Sequence, residues 1–75
     1  MLSGMMVEAE VKFPDGVREV SIIATDTVLR RYKFAIGEYE LIALKRLIKV
    51  GAYGKAMNLL KKANERITGT STQER

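Results

Sequence analysis

From Tyr39 to Ile67 the apolar residues fall on a helical period that glycines interrupt once, and this pattern restricts the chain more than any other stretch. Leu41, Leu44, Leu47 and Ile48 recur at three- and four-residue spacings; after Val50-Gly51-Ala52-Tyr53-Gly54 the spacing resumes with Ala56, Leu59, Leu60, Ala63 and Ile67. The spacing predicts two amphipathic helices joined by a tight turn, with apolar stripes that must be buried on each other or on a third element. Glu38 and Glu40 stand at the start of the first helix and Lys45, Arg46 and Lys49 near its end, each where the helix dipole favours its charge. Gly51 is the expected stop, and Gly54 or Lys55 the expected start of the second helix, with Tyr53 folded over the junction as an apolar plug. The second helix is expected to end near Ile67. The small and polar residues 68–75 that follow read as a disordered tail.

The N-terminal part has a different period. Val7, Ala9, Val11 and Phe13 alternate with Glu8, Glu10 and Lys12, as in a strand with one buried face. Pro14-Asp15-Gly16 ends it, because proline presets the first corner of a turn and glycine accepts positive φ at its close. Val17 to Ala24 is the returning strand, with Val20, Ile22 and Ala24 on one face. A four-residue loop would pair Met5 with Ala24, Val7 with Ile22 and Ala9 with Val20, apolar against apolar. A three-residue loop would oppose Glu8 to Ile22 and Glu10 to Val20, so the pattern favours the first.

Beyond Thr25-Asp26-Thr27, residues 28–36 fit two descriptions. As a strand they place Val28, Arg30, Tyr32, Phe34 and Ile36 on one face and Leu29, Arg31, Lys33 and Ala35 on the other. As a helix they give the stripe Val28, Leu29, Tyr32, Ile36, capped by Asp26 or Thr27 and by Gly37. The aromatic and β-branched content, and a Phe34 left outside the helical stripe, favour the strand. The expected fold is one α+β domain over residues 1–67: an N-terminal antiparallel β-hairpin, extended by a third strand, followed by a two-helix hairpin.

Seventy-five residues make one small domain, and a domain of this size buries only about 60% of the surface its unfolded chain exposes. Such domains draw on disulfides, a metal or a partner surface. The chain contains no cysteine and no histidine, which leaves association, and a homodimer is the expected form. The same two absences, with carboxylates placed in turns and on solvent-facing positions, offer no acid–base pair, nucleophile or metal ligand set. A non-enzymatic protein without a cofactor is therefore expected. Gly51-Ala52-Tyr53-Gly54-Lys55 ends like a phosphate-binding loop but lacks its length and the Ser or Thr after the lysine; a helix-linking turn accounts for it. No run of eighteen apolar residues is present and the N-terminus lacks the basic and apolar blocks of a secretory leader, so a cytoplasmic protein without a membrane span is expected.

Thirteen Lys and Arg against nine Asp and Glu give a net charge of +4, which favours anionic partners. The acidic residues gather in the hairpin, at Glu8, Glu10, Asp15 and Glu19, and the basic ones in the rest. Arg30, Arg31, Lys33, Lys55, Lys61 and Lys62 are the candidate nucleic-acid contacts. Arg31 and Lys33 would project from the outer face of a strand toward a major groove, and the start of the second helix, beside Lys55, would hold backbone phosphate. The competing class is a protein-interaction module or small subunit of a larger complex, using apolar surface around Tyr39, Tyr53 and Met57; Tyr39 and Met57 otherwise belong in the core or a dimer seam.

From Arg30 to Ile67 the order of strand, helix, Gly-x-Tyr turn and a second helix carrying Leu59-Leu60-Lys61-Lys62-Ala63 resembles the ribbon-helix-helix family of DNA-binding regulators. The resemblance implies an obligate dimer whose paired strands enter the major groove, with Arg31 and Lys33 at the base-facing positions and the start of helix two on phosphate. Two features differ from the family pattern: Lys55, Ala56 and Met57 stand where Ser or Thr is usual, and a hairpin precedes the strand.

Overall fold

A computed structural model describes residues 2–69. Strands β1 (Gly4–Lys12), β2 (Val17–Thr25) and β3 (Leu29–Gly37) form an antiparallel meander in the order β1-β2-β3, followed by helices α1 (Glu38–Lys49) and α2 (Tyr53–Thr68). The α+β architecture is thus present with the third strand included. α2 begins at Tyr53, one to two residues before the expected start, and Tyr53 is half-buried against the core. It runs through Thr68, and Gly69 follows in the left-handed region. The rest of the expected tail, residues 70–75, lies outside the described residues.

The favoured four-residue loop is not formed, and the β1–β2 hairpin combines part of each register that the sequence allowed. Gly16, at φ 88°, closes a three-residue loop: its N–H donates to the Phe13 carbonyl at 3.1 Å and Phe13 N–H donates to Val17 O at 3.0 Å. That turn pairs Glu10 with Val20 and Lys12 with Arg18. Farther out the apolar pairing holds, Met5 with Ala24 and Val7 with Ile22. The two registers are one residue out of step, and a β-bulge between Val7 and Ala9 takes up the difference at Glu8. The expected Ala9–Val20 pair is therefore replaced by Glu10–Val20.

The helices cover one face of the sheet. Met5, Val20, Ile22, Ala24, Phe34 and Ile36 meet Leu41, Leu44, Ala56, Met57, Leu60 and Ala63 in a single cluster. α2 lies along β3, where Asn64, buried among apolar residues, accepts the Ala35 N–H through Oδ1 at 2.9 Å. One outward N–H of an edge strand is thereby satisfied by a side chain. Asn64→Leu is expected to cost about 1–3 kcal/mol, the penalty of stranding that N–H; a denaturant titration with an unchanged midpoint would contradict it.

α1 sits over the hairpin end, tied there by ion pairs made possible by the bulge. Glu10 Oε2 is 2.9 Å from Lys45 Nζ, and its Oε1 is 3.9 Å from Arg18, whose other amino group is 3.4 Å from Glu38. Glu40 accepts the Gly37 N–H at 2.8 Å and also pairs with Arg66 of α2. Glu10, Glu38 and Glu40 are thus engaged in ion pairs, and Glu40 is half-buried, where the sequence pattern placed them free in solvent. α1 ends in a Schellman turn: Gly51, at φ 78°, donates to Ile48 O at 3.1 Å and Ala52 N–H to Leu47 O at 2.9 Å.

Between β2 and β3, Asp26 Oδ1 accepts the Val28 N–H at 3.0 Å and the N–H of Thr27. These backbone bonds, that of Val28 first, hold its carboxyl below the usual aspartate range, with the charge of Arg30 acting in the same direction. A depressed folded value means that the ionised form favours the native state. The stabilisation is complete above the unfolded value, about 3.9, and is lost as pH falls through the lower folded one. Asp26→Ala is therefore expected to lower the melting temperature at neutral pH, with the gap from wild type closing in strong acid; a gap independent of pH would count against it.

Candidate nucleic-acid interface

On α2 the sequence places cations by helical geometry. Lys55 and Lys62 are seven residues apart and share a line, and Lys62, two residues on from the buried Leu60, lies almost diametrically opposite the core stripe. Lys61 is on the flank next to Asn64, toward the β3 edge. All three lysines are exposed. Arg46 and Lys49, exposed near the end of α1, add two more cations to the helix layer. None of the five has a carboxylate partner among the described residues, whereas Lys45 and Arg66 are paired with Glu10 and Glu40. Glu38 and Glu40 are also engaged, so Glu65 is the one carboxylate of the two helices outside an ion pair among the described residues.

The strand candidates are elsewhere. Arg31 and Lys33 share rows with Ile23 and Ser21 on the face of the sheet that the helices leave open, opposite the layer that carries Lys55 and Lys62. Arg31 pairs with Glu8, at the bulge, at 3.7 Å. Arg30 is on the other face, in register with Ala24 and exposed at the loop end. The six candidates therefore divide: Lys55, Lys61 and Lys62 come together on one helix, and Arg30, Arg31 and Lys33 do not join them. The hairpin carboxylates also reach the basic part, Glu8 to β3 and Glu10 to α1, which weakens the expected polarity at those two points.

β3 is paired along its whole length with β2 of the same chain. The ribbon-helix-helix resemblance implies instead a strand paired with its twin across a dimer axis. The free edge of β3, which such a ribbon would need, already has its Ala35 N–H bonded to Asn64.

The start of α2 has no side-chain cap and no acidic residue in its first turn, so its first-turn N–H groups, next to Lys55, have no side-chain acceptor. α1 carries a second apolar surface, away from the core. Tyr39, Ile42, Ala43, Arg46, Leu47 and Val50 line a shallow groove of about 450 Å³ on its outer side. Tyr39 is 86% exposed, which removes it from the core, while Met57 is buried there as expected. The signal for the groove was present in the sequence as apolar residues at three- and four-residue spacing on both sides of α1.

No group of three or more His, Cys, Asp or Glu able to hold a metal is present among the described residues, and no helix there is long and apolar enough to cross a membrane. No protein-family model matches the sequence, and no curated protein or solved structure is similar enough to carry an inference.

Proposed function

We propose that this is a small non-enzymatic nucleic-acid-binding protein, a regulator or accessory factor, that grips the phosphate backbone with its helix layer. The observation that supports it is the imbalance on that layer: five cations without an ionic partner against one such carboxylate among the described residues. Lys55 and the first-turn N–H groups of α2 take one phosphate, Lys62 lies two turns along the same line, and Lys61, Arg46 and Lys49 widen the surface. Double-stranded DNA is the preferred partner, because an exposed helix with cations two turns apart suits a regular row of phosphates. Binding of this kind releases counterions, so affinity falls steeply as salt rises. A gel-shift titration on a short DNA duplex tests it: retention at low salt that disappears toward physiological salt is expected, and no retention at low salt disposes of it. The competing role, a protein-interaction module, is favoured by the exposed apolar stripe of α1, and it predicts no salt-dependent retention.

A further inference from the structure

We propose that the face of the sheet left open by the helices is a homodimer interface. An antiparallel sheet with one solvated face ordinarily alternates apolar-in, polar-out. Here the outward rows are Gly4-Thr25-Leu29, Met6-Ile23-Arg31, Ala9-Ser21-Lys33 and Val11-Glu19-Ala35. Leu29 is 60%, Met6 54% and Val11 48% exposed in the single chain. Three large apolar side chains left exposed on one face, among the four charged ones Glu8, Glu19, Arg31 and Lys33, mark a surface for a partner to cover.

The charges identify the partner as a second copy. Glu8 and Glu19 balance Arg31 and Lys33, so the face is neutral, and its ions suit an identical face turned about a twofold axis. Glu8 and Arg31 pair within the chain. Glu19 and Lys33, diagonal neighbours of opposite sign, have no ion pair among the described residues, and each is available to the other chain. The α1 groove is the other apolar surface, but it contains Arg46, is flanked by Lys49 and has no carboxylate of its own, so two copies meeting there would oppose like charges. Three strands of nine residues span roughly 14 by 30 Å, or about 400 Å² in plan before side-chain relief is added. A standard interface buries about 800 Å² of accessible surface per partner, so the whole face has to be covered. Sheets packed in this way would leave both cationic helix layers pointing outward.

Sedimentation equilibrium of the full chain over a range of micromolar concentrations tests the proposal independently of any nucleic acid. Wild type is expected to approach twice the 8.4 kDa mass of one chain, the double variant Met6→Glu with Leu29→Glu to stay at one chain, and Ile42→Glu in the α1 groove to behave as wild type. A wild type that stays at one chain at every concentration overturns the proposal, as does dimerisation lost in Ile42→Glu and kept in the sheet variant. Amide chemical shifts of wild type on dilution give a readout that needs no variant: Met6, Ile23 and Leu29 are expected to move while Ile42 and Val50 stay fixed, and the reverse pattern overturns the assignment.

Discussion

Phe34→Ala is expected to remove most of the stability of this domain. The ring is 1% exposed at the middle of β3, faces α2, and stacks on Tyr32 with ring centres 5.7 Å apart. Deleting a buried phenylalanine side chain costs about 3–5 kcal/mol through lost transfer energy and an incompletely collapsed cavity. At the usual stability per residue a chain of 75 residues has roughly 4–11 kcal/mol in total. The loss corresponds to a melting temperature lower by roughly 15–30 °C in a domain this small, which circular dichroism measures directly. Lys33→Ala, one residue earlier on the same strand and pointing to the opposite face, is expected to stay within about 0.5 kcal/mol of wild type. A Phe34 variant that melts within a few degrees of wild type would mean that the helices do not cover this face.

The contrast between those two neighbours was legible in the alternation of residues 28–36, as were both helices from their 3.6-residue period. What the sequence did not disclose came from constraints acting over different ranges. The Pro14-Asp15-Gly16 turn sets a register locally, and the apolar set Met5, Val7, Ile22, Ala24 sets another through burial. Each was readable, but only packing shows that the chain keeps both by bulging at Glu8. The displaced Glu10 then reaches Lys45, thirty-five positions away in sequence, a contact that no local pattern encodes. The candidate site suffered in the same way. Lys55 and Lys62 belong to one rigid element seven residues apart, so helical geometry alone puts them on one line. Whether Arg31 and Lys33 look toward or away from that element depends on which face of the sheet the helices cover. Helix α1, apolar on two sides, was assigned its buried stripe by spacing alone, and the exposure of Tyr39 on the opposite side emerged only from the packing.

That division of the cations yields the sharper functional prediction. Replacing Lys55 and Lys62 together by glutamate is expected to weaken duplex DNA binding by roughly tenfold to hundredfold near 0.1 M salt, and to reduce the slope of log affinity against log salt by about 2, one unit per lost phosphate contact. Both side chains are exposed and point away from the core, so the fold should survive, and an unchanged thermal melt verifies that the loss is one of contact. Neutralising Arg31 and Lys33 as glutamines is expected to leave the slope as it is, because those side chains are on the opposite side of the sheet and Arg31 is already paired with Glu8. The two double variants separate the possible interfaces without any knowledge of sequence preference, since phosphate contacts weaken all duplexes alike. A slope that falls only in the strand variant would move the interface to the open sheet face, in direct competition with dimerisation there. If neither variant changes the slope, the helix-layer cations serve solubility and the apolar groove of α1 becomes the surface to pursue.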